Sequence, residues 1–163
     1  MKKIIVIGCP GSGKSVFSRA LHDKTGIPLY HLDMMYWNAD RTIVEKSVFR
    51  GRLAEVLEKD EWIIDGNYGS TMEQRLAACD TVFFLDYPLE VCLGGIMARI
   101  GKPRSDMPWV ETEPDGEFIG FVKDYEAQSK PGVLELLSRY NDKNIVVFTS
   151  REQAAEFLKA DNI

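Results

Sequence analysis

Short, almost continuously apolar runs alternate along this chain with longer segments whose apolar residues recur every three or four positions. The runs cover residues 3–8, 29–32, 62–65, 81–85 and 144–148. They are brief and rich in β-branched and aromatic residues, and they lack strict polar alternation, as strands buried on both faces should. Helical spacing marks residues 15–25, 44–60, 70–78, 88–100, 118–127, 131–140 and 151–159. In the second of these, Val48, Leu53, Val56 and Leu57 share one face and the charges lie elsewhere. Pro88 suits a first helical turn and Asn141 a helix end. No repeat, low-complexity tract or linker interrupts the pattern, so residues 1–163 read as one domain. Alternation of this kind predicts an α/β fold: a parallel sheet, helices on both faces, right-handed crossovers, and ligands at the carboxyl ends of the strands.

Chemistry-bearing residues fall at those strand ends. After the first strand, Gly8 to Ser15 read GCPGSGKS and satisfy the pattern G-x-x-x-x-G-K-[ST] between a strand and a helix. Gly8, Gly11 and Gly13 let the backbone curl so that the loop, running from Gly8 through Pro10 and Ser12 to Val16, surrounds a phosphate at the helix N-terminus with the N–H groups of its non-proline residues. Lys14 is placed to reach the β- and γ-phosphates of a nucleoside triphosphate, and Ser15 to ligate Mg²⁺. A plain glycine-rich turn is the alternative.

The second strand ends in HLDMMYW. Asp33 is the candidate to position a phosphoryl acceptor, against the alternative of a loop aspartate that caps backbone N–H groups. His31 is expected to be packed rather than catalytic. Met34 to Trp37 form a large-sided loop that either lines a pocket or covers the sheet edge. The third strand ends in WIIDGNY, where Asp65 can hold the Mg²⁺ hydration shell opposite Ser15; a turn aspartate is the alternative. Asp86, before Pro88, is expected to cap the next helix.

Charge and cysteine content narrow the class. The net charge of −5 argues against a nonspecific grip on DNA, so direct DNA binding is not expected. Apolar stretches are too short for a membrane span and no secretory segment opens the chain, so a soluble, cytoplasmic protein is expected. Cys9, Cys79 and Cys92 lack metal-binding spacing and read as free thiols, with Cys9 inside the phosphate loop. Basic residues matter where they cluster, as Arg99, Lys102 and Arg104 do ahead of Glu111, Glu113 and Asp115.

IDGNYGSTMEQRL followed by ACDTVFFLDYP resembles the D-G-F-P-R-T…Q…L and L-D-x-P segments of adenylate-kinase-like P-loop proteins. The spacings of GCPGSGKS, HLDMMYW, WIIDGNY and RIGKPRSDMPW more closely resemble a bacterial group of small kinase-like proteins known as topology modulation proteins. The resemblance implies a nucleoside- and shikimate-kinase fold, a five-stranded parallel sheet in the order 2-3-1-4-5, a mobile lid and ATP binding. By resemblance to the lid arginines of small P-loop kinases, residues 99–116 are expected to form a lid whose Arg99 and Arg104 offset the charge of a transferring phosphoryl group; a solvated basic turn paired to Asp106 and Glu111 is the alternative. Asn67-Tyr68-Gly69 stands where adenylate kinases carry Phe-Pro-Arg, so their phosphate-gripping arginine is absent and a nucleoside monophosphate acceptor is not expected. Arg75 either substitutes for it or lies on the surface. By position in the fold, Thr149, Ser150 and Arg151 fall where such kinases contact adenine, with Arg151 able to stack on the base; Ser150 as a helix N-cap is the simpler reading. The expected function is an ATP-dependent kinase acting on a small acceptor, a nucleoside or hydroxylated metabolite, with an ATP-binding regulatory module and a simple ATPase as alternatives.

Overall fold

The computed structural model describes all 163 residues, Met1–Ile163. In chain order the elements are β1 (Lys3–Gly8), α1 (Lys14–Thr25), β2 (Leu29–His31), α2 (Leu32–Tyr36), α3 (Lys46–Leu57), β3 (Trp62–Asp65) and α4 (Gly69–Ala78). They continue as β4 (Thr81–Leu85), α5 (Leu89–Arg99), α6 (Gly116–Gln128), α7 (Lys130–Arg139), β5 (Asn144–Phe148) and α8 (Arg151–Lys159). The five strands form one parallel sheet in the order β2-β3-β1-β4-β5, the order that the resemblance implied.

The apolar runs explain why β1 lies at the centre. Ile4 to Ile7 are at most 1% exposed, and the two-residue period of a strand divides them between two cores. Ile4 and Val6 pack with Phe17 and Leu21 of α1, Cys92 and Ile96 of α5, and Ala154 of α8. Ile5 and Ile7 pack with Phe49 and Leu53 of α3, Met72 and Leu76 of α4, and Leu137 of α7. The sheet is thereby covered on both faces, as parallel sheets require. Register aligns the strand ends: His31 pairs with Asp65, Val6 with Asp65, and Gly8 with Leu85, which in turn pairs with Phe148. Everything that follows the strands therefore gathers at one edge.

Several local expectations are corrected. Residues 34–37 do not form a loop after β2. The strand stops at His31 and Leu32–Tyr36 make the short helix α2, because Leu32 and Met35, three apart, both face the core. Asp33 is accordingly in a first helical turn rather than at a strand end. Pro88 is the N-cap residue before α5 rather than part of its first turn, and α7 ends at Arg139 with Tyr140 as its cap, ahead of Asn141. Asp86 caps nothing; its carboxylate lies 3.0 Å from Lys130 Nζ. α6 begins at Gly116, two residues earlier than its periodicity suggests, because the Asp115 carboxylate accepts hydrogen bonds from the N–H groups of Glu117 and Phe118. Ser150 does cap α8, accepting from Gln153 N at 3.3 Å. No helix is long and apolar enough to cross a membrane, and all three cysteines are free and buried.

Candidate active site

Glycine makes the phosphate loop possible by close approach as well as by conformation. Gly11 has φ 82°, and a Cβ there would stand 2.0 Å from the carbonyl oxygen of Cys92 on α5. The fit is reciprocal, since a Cβ on Gly95 of α5 would stand 2.0 Å from the Gly11 carbonyl oxygen. Backbone thus packs directly on backbone, and neither partner can yield by changing rotamer. Gly13, at φ 93°, is the left-handed N-cap of α1 and turns the chain into the helix.

Lys14 folds back across the loop, and its Nζ donates to the carbonyl oxygens of Gly8 (3.0 Å) and Cys9 (3.3 Å). Burial lowers its pKa, while Asp65 and Asp33 act in the opposite sense. Asn67 clamps the loop from the end of β3: Gly8 N donates to Asn67 Oδ1 at 3.2 Å, and Asn67 Nδ2 donates to Gly8 O at 2.7 Å. This residue of the Asn67-Tyr68-Gly69 departure is a structural brace for the phosphate loop. Ser12 is buried, and its hydroxyl has no partner. Arg151 Nη2 donates to Gly11 O at 3.2 Å, and its guanidinium sits 5.7 Å from the Tyr87 ring centroid.

Three carboxylates face this loop from three elements, each with its own partner. Asp65, 4% exposed, accepts from His31 Nδ1, which is 2.9 Å from both of its oxygens. Burial alone would depress the His31 pKa, but the hydrogen bond and charge of Asp65 prevail and raise it. Asp33 Oδ1 accepts from the Tyr68 hydroxyl. Burial raises the Asp33 pKa above its ordinary value, against that hydrogen bond and the charge of Lys14. Asp106 accepts from Ser15 Oγ at 2.7 Å and from Arg104 through a fork, Nη2 at 2.7 Å and Nε at 3.1 Å. Burial would raise its pKa, yet Arg104 and Ser15 outweigh it and hold the carboxyl far below the usual carboxylate range.

Of the basic cluster, Arg99 and Arg104 are paired and largely withdrawn from solvent, while Lys102 is exposed. Glu111 Oε2 bridges Arg99 Nε and Arg104 Nη1, each at 3.2 Å, and the Arg104 side chain is only 13% exposed. Arg19 Nη1 donates to Ser105 Oγ at 3.0 Å. Farther along, Trp109 meets Trp37 edge-on at 5.3 Å, and the Arg41 guanidinium lies over the Trp109 ring at 5.7 Å. The segment between α5 and α6 therefore lies against α1 and α2.

One cavity of about 1050 Å³ brings most of the expected residues together: Pro10, Gly11, Gly13, Lys14, Ser15 and Val16 from the loop, with Asp33, Asp65, Arg99, Arg104 and Arg151 around it. Gly8 and Ser12 support the loop from outside its lining. Thr149 is turned toward Gln153, and Ser150 caps α8, so only Arg151 of that trio reaches the cavity. Arg75 neither replaces a phosphate-gripping arginine nor lies on the surface; it is fully buried under the turn after β3. Sequence reasoning missed the contact of His31 with Asp65, which the parallel register of β2 on β3 creates, and the contact of Ser15 with Asp106, which spans 91 positions. The one available signal for Asp106 was its place beside the basic cluster.

No family model matches the chain. A stretch of 94 residues is 30% identical to the adenylate kinase of Thermotoga neapolitana, covering 56% of this chain and 42% of that enzyme, so less than half of the relative is represented. Among solved structures, shikimate kinase from Acinetobacter baumannii in complex with shikimate superposes with a TM-score of 0.62 at 16% identity, over 98% of this chain and 92% of that one. Shikimate kinase from Bacteroides thetaiotaomicron superposes with a TM-score of 0.56 at 17% identity, over 96% and 93%. These likenesses establish a kinase-type P-loop α/β fold.

Proposed function

We propose that this chain is a small-molecule kinase that transfers the γ-phosphoryl group of ATP to a hydroxyl of a small acceptor. The observation that carries this reading is the single cavity onto which Lys14 and Ser15, Asp33 and Asp65, and Arg99 and Arg104 all open. The donor set suits the ligands: the loop leaves no room for a Cβ at Gly11, Lys14 has no acid within hydrogen-bonding distance, and Ser15 and Asp65 are hard oxygen donors of the kind Mg²⁺ selects. Mg²⁺, when bound, neutralises charge on the β- and γ-phosphates.

Lys14 and the loop amides hold those phosphates, and Ser15 and Asp65 hold the metal and its water. Arg99 and Arg104 of a lid spanning about residues 99–116 stabilise charge on the phosphoryl oxygens. Asp33 orients the attacking hydroxyl and accepts its proton as the new P–O bond forms and the bond to the β–γ bridging oxygen breaks. Its raised pKa suits that task. Trp37, Tyr68 and Trp109, which line the cavity, favour a flat ring such as a nucleoside or a cyclic hydroxylated metabolite. Arg151 would stack on the adenine base. Membership in the topology modulation group belongs to this reading as well, through the motif spacings given above.

Phosphoryl transfer is tested by ADP release with ATP–Mg²⁺ across a panel of nucleosides, sugars and cyclic hydroxy acids. Lys14→Ala should abolish ATP binding in a calorimetric titration; unchanged affinity would overturn the proposal. The bond from Ser15 to Asp106 favours a second reading, a module whose lid reports bound nucleotide, since it ties the lid segment directly to the hydroxyl that would ligate the metal. Slow ATP hydrolysis that no acceptor stimulates would select it.

A further inference from the structure

Tyr68 has a conformation and partners that the phosphate-transfer reading leaves unused. Its backbone is left-handed, with φ 36° and ψ 76°, although it carries a bulky side chain and glycines stand two residues before it and directly after it. Arg75 holds it there from below. The guanidinium donates to the carbonyl oxygens of Gly66 (3.0 Å), Asn67 and Tyr68 (3.1 Å), while Nε donates to Thr71 Oγ1 at 3.2 Å. Arg75 is 0% exposed and bonds no carboxylate, and burial lowers its pKa to about 10. A buried cation is thus committed wholly to the shape of three consecutive residues, an expensive arrangement for a mere turn.

The hydroxyl end of Tyr68 shows what that shape achieves. It donates to Asp33 Oδ1, and no protein group bonds Asp33 Oδ2. The ring packs against Tyr36 at 4.8 Å and Phe49 at 5.5 Å, contacts that a phenylalanine would make equally well. The geometry points to Tyr68 as a positioning residue for Asp33, locked by Arg75, which occupies one carboxylate oxygen and leaves the other for a single hydroxyl of the acceptor. This inference rests on the acceptor reading of Asp33. It narrows the acceptor to one engaged through one hydroxyl at Asp33 Oδ2, rather than through a diol chelated by both oxygens. Asp33 also lies in the field of Lys14, Arg99 and Arg104 on one hand and of Asp65 and Asp106 on the other, none of which bonds it.

The test uses the full chain as wild type and as Tyr68→Phe, with carbon-13-labelled aspartate and Asp33→Asn to assign the Asp33 carboxyl signal. Loss of the hydroxyl should move the Asp33 titration midpoint upward, because the donor that opposes the effect of burial is gone. It should lower kcat for the acceptor found in the panel by about tenfold or more with KM for ATP unchanged. Arg75→Lys keeps the charge but cannot span three carbonyls, and it should shift the midpoint in the same direction. If that variant unfolds by circular dichroism, Tyr68→Phe decides alone. An Asp33 midpoint and kcat both unmoved in Tyr68→Phe would overturn the inference. A midpoint shifted in Tyr68→Phe, when the wild type phosphorylates nothing in the panel, supports the positioning of Asp33 and counts against the kinase reading, so the two failures are distinguishable.

Discussion

On the phosphate-loop side of the cavity, position is enforced chiefly by backbone, Gly11 against the Cys92 carbonyl and Gly13 as a left-handed cap, with the Asn67 side chain added as a clamp on both polar groups of Gly8. On the opposite side, the three carboxylates that face the loop are each held by another side chain. Tyr68 holds Asp33, His31 holds Asp65, and Ser15 with Arg104 holds Asp106. Backbone contacts are rigid because no rotamer relieves them. Side-chain partnerships can be exchanged, and on the proposed reading a site that admits an acceptor and then closes over it needs partners that can be exchanged.

The largest effect should come from breaking the rigid half. Gly11→Ala puts a Cβ 2.0 Å from the Cys92 carbonyl at a left-handed φ, so loop and helix α5 must separate. We expect a loss of about 3 kcal/mol in urea denaturation, from overpacking and strain together, and calorimetric ATP affinity reduced by about a hundredfold. Gly94→Ala, one position away on α5 with open space at its Cβ, is the control and should bind ATP normally. Equal behaviour of the two variants would show that the loop is not held by this contact.

The same contrast governs what could be read before folding. GCPGSGKS announces itself because its geometry is local: three glycines, a lysine and a serine within eight residues suffice to specify the loop. The sheet was legible for a similar reason, since burial on both faces leaves its mark on each short run. The other half is assembled from parts far apart in sequence. Tyr68 and Asp33 are 35 positions apart, and Ser15 and Asp106 are 91. No period or spacing encodes such meetings. Arg75 shows the limit plainly, since an arginine fully buried on carbonyl oxygens has the same sequence signature as one on a helix surface. The short helix α2 was hidden by a different cause: five residues are too few to display a helical period.

Asp106 tests how firmly the exchangeable half is held. Its carboxyl titrates far below the ordinary value of 3.8, so between those two pH values the unfolded chain binds more protons than the folded one. Its contribution is therefore fully present above about pH 4 and declines as pH falls toward the lower folded value. Asp33, with its raised pKa, acts with the opposite sign: it costs stability at neutral pH, and that cost eases as acid protonates it. Asp106→Asn should lower stability at pH 7 by about 2 kcal/mol, less than a wholly enclosed ion pair would lose because the Arg104 side chain keeps 13% exposure. Below about pH 4 the gap between variant and wild type should narrow in urea denaturation. A gap constant from pH 7 to pH 2 would mean that Asp106 acts through packing rather than charge.

The smallest effect should come from His31, whose single Nδ1 serves both oxygens of Asp65 from the neighbouring strand. His31→Gln removes the ring but leaves the strand pairing, which runs through backbone, so the fold and ATP affinity without Mg²⁺ should be unchanged. Asp65, free to rotate, should then hold the metal less well, and the enhancement of ATP binding by Mg²⁺ should fall by about tenfold, the usual loss when the partner that orients a metal-holding group is removed. Calorimetric titrations with Mg²⁺ and with a chelator separate the two quantities. An Mg²⁺ enhancement that survives the substitution would place Asp65 with Gly11 among the positions fixed by backbone, and would leave Asp33 and Asp106, of the three carboxylates that face the loop, dependent on a side-chain partner.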